Sequence, residues 1–121
     1  MANSLSEANI KRTCTEYLAL DGWRFIDTDP PGLRGLGVRE KGIADRLYIR
    51  YEAERPGDAL AEVLWIEWKK RGGKAMAHQT EWIAAERARG ALVLLAGVDF
   101  PASIEGFQCW YRASGLTRRE I

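Results

Sequence analysis

The most informative stretch of the sequence is Leu64-Trp65-Ile66-Glu67-Trp68-Lys69, where an acid and a lysine stand two residues apart in an otherwise apolar run. Side chains alternate along a β-strand, so this stretch would place Leu64, Ile66 and Trp68 on one face and Glu67 and Lys69 on the other. Glutamate and lysine are seldom buried unless they are paired or bind an ion. The pattern therefore favours a chemical role for Glu67 and Lys69.

A second acid, Asp45, interrupts another apolar pattern, in the stretch Gly42-Ile43-Ala44-Asp45-Arg46-Leu47-Tyr48-Ile49. If the two strands pair, Asp45 lies beside Glu67 and Lys69 at one end of a sheet. Carboxylates are ligands that Mg²⁺ takes in proteins, and a bound metal lowers the pKa of water and offsets charge on a phosphoryl group. Lys69 would orient that water or stabilise the developing charge. Phosphodiester hydrolysis is the chemistry that these groups suit best.

The arrangement resembles the Asp…Glu-x-Lys signature of the PD-(D/E)xK nuclease superfamily, and its surroundings resemble the VRR-NUC (virus-type replication-repair nuclease) branch. The likeness is carried by Gly42-Ile43-Ala44-Asp45, Ile66-Glu67-Trp68-Lys69, Gln79-Thr80-Glu81-Trp82 and Gly90 before a last apolar strand. It runs from the first helix to about Trp110. One departure is Ala44, where family members usually have a proline that shapes the backbone and supplies no ligand.

The resemblance implies an enzyme that uses Mg²⁺ or Mn²⁺, bound by Asp45, Glu67 and the backbone carbonyl of Trp68. It implies that Lys69 is the catalytic lysine and that Gln79 supports the site or contacts DNA. Glu7, in the opening helix, matches an acid that many members carry. Small free-standing members act on branched DNA and four-way (Holliday) junctions, often as homodimers, in replication, repair or recombination of phage or mobile-element type.

Each candidate also has a purely structural interpretation. Glu67 and Lys69 would form a weak surface ion pair on the solvated face of an edge strand. Asp45 follows Gly42 and could belong to a turn, although the residues after it have the pattern of a strand. Gln79 could lie on the solvent side of its helix.

The role of Glu7 is open between two interpretations. Ser4-Leu5-Ser6-Glu7 matches a helix capping box, in which the glutamate side chain accepts from the N–H of the cap residue. Glu7 also falls on the helical stripe of Ile10, Cys14 and Tyr17, the face that should meet the sheet.

A basic segment, Lys69-Lys70-Arg71-Gly72-Gly73-Lys74, joins the Glu67 strand to the next helix. It lacks the spacing and the terminal Ser or Thr of a Walker A loop, so no nucleotide cofactor is expected. Its position suits contacts with DNA phosphates, and an ordinary solvated turn is the alternative. The candidate DNA contacts are Arg46, Lys70, Arg71 and Lys74. The sole histidine, His78, is left out because a metal and a lysine suffice for this chemistry.

Composition predicts one domain over residues 1–121, since the chain is too short for two ordinary domains. The formal net charge of +1 neither supports nor excludes a local basic rim. Cys14 and Cys109 are expected to be reduced, buried thiols. With no signal peptide and no apolar run of membrane-spanning length, a cytoplasmic protein without membrane association is expected.

The predicted fold is an α/β domain with a restriction-endonuclease-like core, αβββαβ, a further C-terminal helix, and a mixed central sheet flanked by helices. Its helices are placed from about Ser4 to Ala19, from Lys74 to Arg89, and from Pro101 onward. Strands are expected at Trp23–Ile26, in the Asp45 and Glu67 stretches, and at Leu92–Ala96. A turn at Arg55-Pro56-Gly57-Asp58 makes the Asp45 and Glu67 strands antiparallel.

The favoured function is a metal-dependent DNA endonuclease that is selective for branched or junction DNA. The alternative is a catalytically inactive nucleic-acid-binding module, or an accessory subunit, with the same fold. A purely structural phage or mobile-element protein would leave the charged strand face unexplained. Metal titration separates these hypotheses, because only the enzyme requires Mg²⁺ or Mn²⁺ at Asp45 and Glu67.

Overall fold

Helices and strands follow one another in the predicted order, αβββαβα. The computed structural model describes residues 6–28, 41–52, 56–57 and 60–121. Within these ranges the elements are α1 (Glu7–Leu20), β1 (Arg24–Asp27), β2 (Arg46–Tyr51), β3 (Ala61–Glu67), α2 (Ala77–Ala88), β4 (Leu92–Leu95) and α3 (Ile104–Ala113).

The strands form one four-stranded mixed sheet in the order β1-β2-β3-β4. Strands β1, β2 and β3 are successively antiparallel, whereas β4 is parallel to β3 and is reached through the crossover helix α2. The predicted pairing of the Asp45 and Glu67 stretches is confirmed. Pro56 and Gly57 form a turn, while Arg55 and Asp58 of the predicted turn lie outside the described residues.

The two faces of β3 pack against different helices, as the alternating pattern predicts. Leu64, Ile66 and Trp68 are fully buried in the main core with residues of α1 and α3. On the opposite face, the Trp65 ring meets the Trp82 ring of α2 edge to face, with centroids 5.0 Å apart. Strand β3 is thus covered on both faces, and the charged residues Glu67 and Lys69 lie at and just beyond its end.

The three helices begin about three residues later than predicted. Ser6 is extended and caps α1, its hydroxyl accepting from the N–H of Asn9 at 3.1 Å. Glu7 is therefore the first helical residue and does not occupy the third position that a capping box requires; Ser4 lies outside the described residues. Ser103 caps α3 in the same way, so Pro101 precedes that helix. In α2 the extended residue is Met76, which places Lys74 outside the helix.

The two cysteines differ in burial. Cys14 is buried, as predicted, on the core side of α1. The prediction for Cys109 is wrong, because this residue is exposed on α3. Phe107 and Tyr111 occupy the inner face of that helix, and Cys109 lies between them on the outer side.

Within the described parts of the chain, no helix is both long enough and apolar enough to cross a membrane.

Candidate active site

Asp45 and Glu67 meet where β2 begins and β3 ends. The register pairs Arg46 with Ile66, so the preceding Asp45 stands opposite Glu67. The backbone N–H of Asp45 donates to Oε1 of Glu67 at 3.1 Å, and the N–H of Trp68 donates to Oδ2 of Asp45 at 3.1 Å. These reciprocal bonds fix both carboxylates at one end of the sheet.

The backbone before Asp45 is held from two sides. A methyl group added at Gly42 would lie 2.3 Å from the carbonyl oxygen of His78, and Gly42 has a φ of +83°, so glycine permits this close approach to α2. On the other side, the Thr28 hydroxyl donates to the carbonyls of Ala44 and Asp45 at 2.6 and 2.8 Å. Asp45 is therefore positioned by both β1 and α2.

Gln79 joins Glu67 and Lys69 into one network. Its amide Nε2 donates to Oε2 of Glu67 at 3.0 Å, while its Oε1 accepts from Nζ of Lys69 at 3.1 Å. Nζ of Lys69 also lies 3.3 Å from Oε2 of Glu67. The N–H of Met76 donates to Oε1 of Gln79 at 2.9 Å, which fixes the orientation of the amide. Gln79 therefore faces the site and not the solvent.

Glu67 is the most deeply buried group of the candidate site for which a shifted pKa is found. It is only 2% exposed. Burial, and secondarily the negative charge of Asp45, raise the pKa of Glu67 to about 7, although Lys69 acts in the opposite direction. A buried carboxyl beside a second carboxylate is an arrangement that a bound cation would relieve, and such perturbed groups concentrate at functional sites.

The raised pKa of Glu67 gives a pH dependence that can be measured without activity. An acid whose pKa is higher in the folded than in the unfolded state loses stabilisation as the pH rises from the unfolded value, 4.5, to about 7. In the metal-free protein we expect this to lower the free energy of unfolding by on the order of 2–3 kcal/mol across that window. Urea titrations at several pH values would measure it. Glu67→Gln should lack this component; an identical pH profile in the variant would refute the assignment.

Glu7 interacts electrostatically with one acid of the site, Asp45, and with Lys69 and Lys70. It is half-buried, and its pKa is raised first by burial and then by the charge of Asp45, while Lys11, Lys69 and Lys70 counteract this. Glu7 therefore lies close enough to Asp45 for their charges to interact. As the first residue of α1, it is not at the third helical position that a capping box requires. Lys11 is four residues after Glu7, so both lie on one side of the helix, and the charge of Lys11 lowers the pKa of Glu7.

The candidate DNA contacts separate into two groups. Lys70, Arg71 and Lys74 are exposed immediately after Lys69. Arg46 does not join these exposed cations. Its guanidinium lies 4.1 Å from the centre of the Phe25 ring and donates to the Thr15 hydroxyl at 2.9 Å. Its place beside α1 favours a structural role over a contact with DNA.

The site fits a divalent cation by its donor chemistry. Among residues 6–28, 41–52, 56–57 and 60–121, no group of three or more His, Cys, Asp or Glu side chains is close enough to hold a metal ion. The site instead offers a pair of carboxylates, and Mg²⁺ is commonly held by one or two carboxylates with water and substrate oxygens completing its shell. Asp45 and Glu67 would hold the ion. The Trp68 carbonyl stays a predicted ligand.

Comparison of the chain with protein-family models, with curated proteins and with solved structures found no match.

Proposed function

We propose that this chain is a metal-dependent DNA endonuclease of the PD-(D/E)xK type, resembling the VRR-NUC branch. The observation that carries the proposal is the convergence of Asp45, Glu67, Lys69 and Gln79 through contacts of 3.0 to 3.3 Å. The four residues meet at one end of the sheet: Asp45 directly precedes β2, Glu67 ends β3, Lys69 follows β3, and Gln79 lies in α2. The mixed sheet with helices on both faces is compatible with the restriction-endonuclease-like core that we propose.

Each residue of the site has a distinct proposed role in catalysis. Asp45 and Glu67 would bind Mg²⁺ or Mn²⁺, which when bound lowers the pKa of water and offsets charge on the phosphoryl group. Lys69, held by Gln79 and Glu67, presents an ammonium group beside the carboxylates, where it would stabilise negative charge that develops on the scissile phosphate. Gln79 is a positioning residue, since it orients both Glu67 and Lys69.

DNA is the proposed substrate because exposed cations adjoin the site. Lys70, Arg71 and Lys74 follow the catalytic strand directly and would bind backbone phosphates. From the family resemblance we propose selectivity for branched or junction DNA and action as a homodimer in the cytoplasm. A two-fold pair of sites would match the two-fold character of a four-way junction.

One observation favours a second candidate, a nucleic-acid-binding module of the same fold without catalysis. Both oxygens of Glu67 already accept hydrogen bonds from protein donors, from Asp45 and from Gln79. A network that is satisfied internally can serve stability alone. Each carboxylate oxygen has a second lone pair, however, so these bonds leave room for a cation.

Metal binding tests the proposal independently of cleavage. We expect Mn²⁺ to bind the wild-type protein at neutral pH and Asp45→Asn to weaken binding at least about tenfold, because one of two charged ligands is lost. Binding should also tighten as the pH rises through about 7, since Glu67 must release its proton. Calorimetric titration would measure both effects.

Asp27→Asn is the matched control for that titration. Asp27 ends β1 at the same end of the sheet as Asp45, and its side chain lies 4.0 Å from Arg46. This variant should bind Mn²⁺ within about twofold of the wild type. Equal binding by Asp45→Asn and the wild type would place the metal elsewhere and would count against the nuclease.

A further inference from the structure

A groove of about 630 Å³ opens directly beside the candidate active site. It lies between the loop of residues 72–75, one side of α2 and the turn after β4. Two contacts tie it to the site: a methyl group added at Gly73 would lie 3.4 Å from Cβ of Lys69, and the N–H of Ala96 donates to the carbonyl of Glu67 at 3.0 Å. The groove is thus at the carboxyl ends of the parallel strands β3 and β4, where open α/β sheets bind ligands.

The walls of the groove are largely apolar, and none of the described residues that line it is acidic. Ile83 and Ala84 of α2 form one side, and Leu95 and Val98 form the other. An apolar recess of this kind suits the face of a planar ring rather than a solvated ion.

Two cationic residues, Lys74 and Arg87, line the groove. Lys74 lines the groove and is exposed, and it continues the basic run of Lys70 and Arg71. Arg87 also lines the groove, but it is bound to Asp99 at 2.8 Å and to the carbonyl of Val93. The recess therefore combines apolar walls with an exposed lysine, Lys74, in its lining, which complements a ring joined to a phosphate.

We propose that the groove binds one unpaired nucleotide of the DNA strand being cleaved, next to the scissile phosphate; this rests on the proposed nuclease function. A volume of 630 Å³ accommodates a single nucleotide, whereas a base inside a duplex is stacked and paired and cannot enter. Extruding a base costs least where it is already unpaired. The substrate is therefore DNA with unpaired nucleotides beside the cleavage point, such as a flap or a splayed branch.

The test compares the affinity for two DNA molecules in the absence of divalent metal, so that cleavage is not the readout. One is a labelled blunt duplex, and the other is the same duplex with a single-stranded flap. The wild type should bind the flapped DNA more tightly. Ala84→Phe fills the groove and should weaken binding of the flapped DNA about tenfold while changing binding of the blunt duplex less than about twofold.

Ala85→Phe is the matched control, since Ala85 is exposed on α2 but does not line the groove. It should bind both DNA molecules as the wild type does. Val98→Glu is a second test. Val98 lies in the turn after β4 and is 71% exposed, so we expect the substitution to leave the fold intact. Its added negative charge should reproduce the selective loss for flapped DNA.

The inference is overturned if the wild type shows no preference for flapped DNA, or if the groove variants weaken binding of both molecules equally or of neither. If the wild type nevertheless cleaves DNA in Mg²⁺, only the groove assignment fails and the nuclease assignment stands. Absence of both binding and cleavage would overturn both.

Discussion

Glu67→Gln is expected to reduce Mg²⁺-dependent cleavage of DNA by about a thousandfold or more. The substitution replaces one of two carboxylates by a neutral amide of nearly the same shape, and a charged group in a water-excluded site contributes on that scale. Glu67 is 2% exposed and is fixed by Asp45 and Gln79, so neither solvent nor a mobile neighbour can substitute for it. Cleavage rates of a labelled branched DNA under single-turnover conditions would measure the loss.

The matched control for this experiment is Glu62→Gln on the same strand. Glu62 lies five residues before Glu67, near the opposite end of β3, where its side chain pairs with Arg50 at 2.9 Å. We expect its rate to stay within about threefold of the wild type. Residual activity in Glu67→Gln comparable with that of Glu62→Gln would show that Glu67 is not part of the reaction.

Asp21→Ala is expected to lower the free energy of unfolding by about 3–5 kcal/mol, the range found when one partner of a buried ion pair is removed. The Asp21 side chain is completely buried and accepts from Nη1 of Arg50 at 2.9 Å, from the Tyr111 hydroxyl, and from the backbone N–H groups of Arg118 and Arg119. The variant leaves the buried guanidinium of Arg50 with fewer partners and removes the carboxylate at the end of α1 that accepts from the N–H groups of Arg118 and Arg119.

The pKa of Asp21 supports this expectation. Burial alone would raise the pKa, but the hydrogen bonds from Tyr111 and from the N–H groups of Arg119 and Arg118 outweigh it, so the pKa of Asp21 lies below its usual value. The stabilisation is therefore present above about pH 4 and is lost as the pH falls below it. Glu105→Ala, at an exposed position of α3, should change stability by less than about 0.5 kcal/mol in the same urea titration. A similar small change for Asp21→Ala would contradict the buried network.

Local patterns predicted the helices and strands and the convergence of Asp45, Glu67, Lys69 and Gln79. The apolar run around Glu67 and the alternating pattern after Asp45 were long enough to indicate two strands, and their antiparallel pairing follows from the short connection. Once these strands pair, their register places Asp45 opposite Glu67 and close to Lys69. The placement of Gln79 on the inner face of α2 follows from its spacing to Trp82 and Ile83.

Contacts between segments that are distant in the chain could not be predicted from the sequence. The fit of Gly42 against His78, the turning of Arg46 toward Phe25 and Thr15, and the burial of Asp21 beside residues near the end of the chain all depend on tertiary packing. Helix starts were misplaced because the capping residues Ser6 and Ser103 have extended backbones that composition does not reveal. The groove beside the site likewise arises from the meeting of a loop, a helix and a turn.

The most direct test of the central claim is cleavage of labelled linear, flapped and four-way-junction DNA by the purified protein, with Mg²⁺ or Mn²⁺ and with the metal chelated. Lys69→Ala should be measured in parallel, because Lys69 contacts both Glu67 and Gln79. We expect cleavage that requires metal, favours the branched molecules and disappears in Lys69→Ala. Binding of DNA without cleavage of any substrate, in either metal, would contradict the nuclease assignment and establish the non-catalytic module in its place.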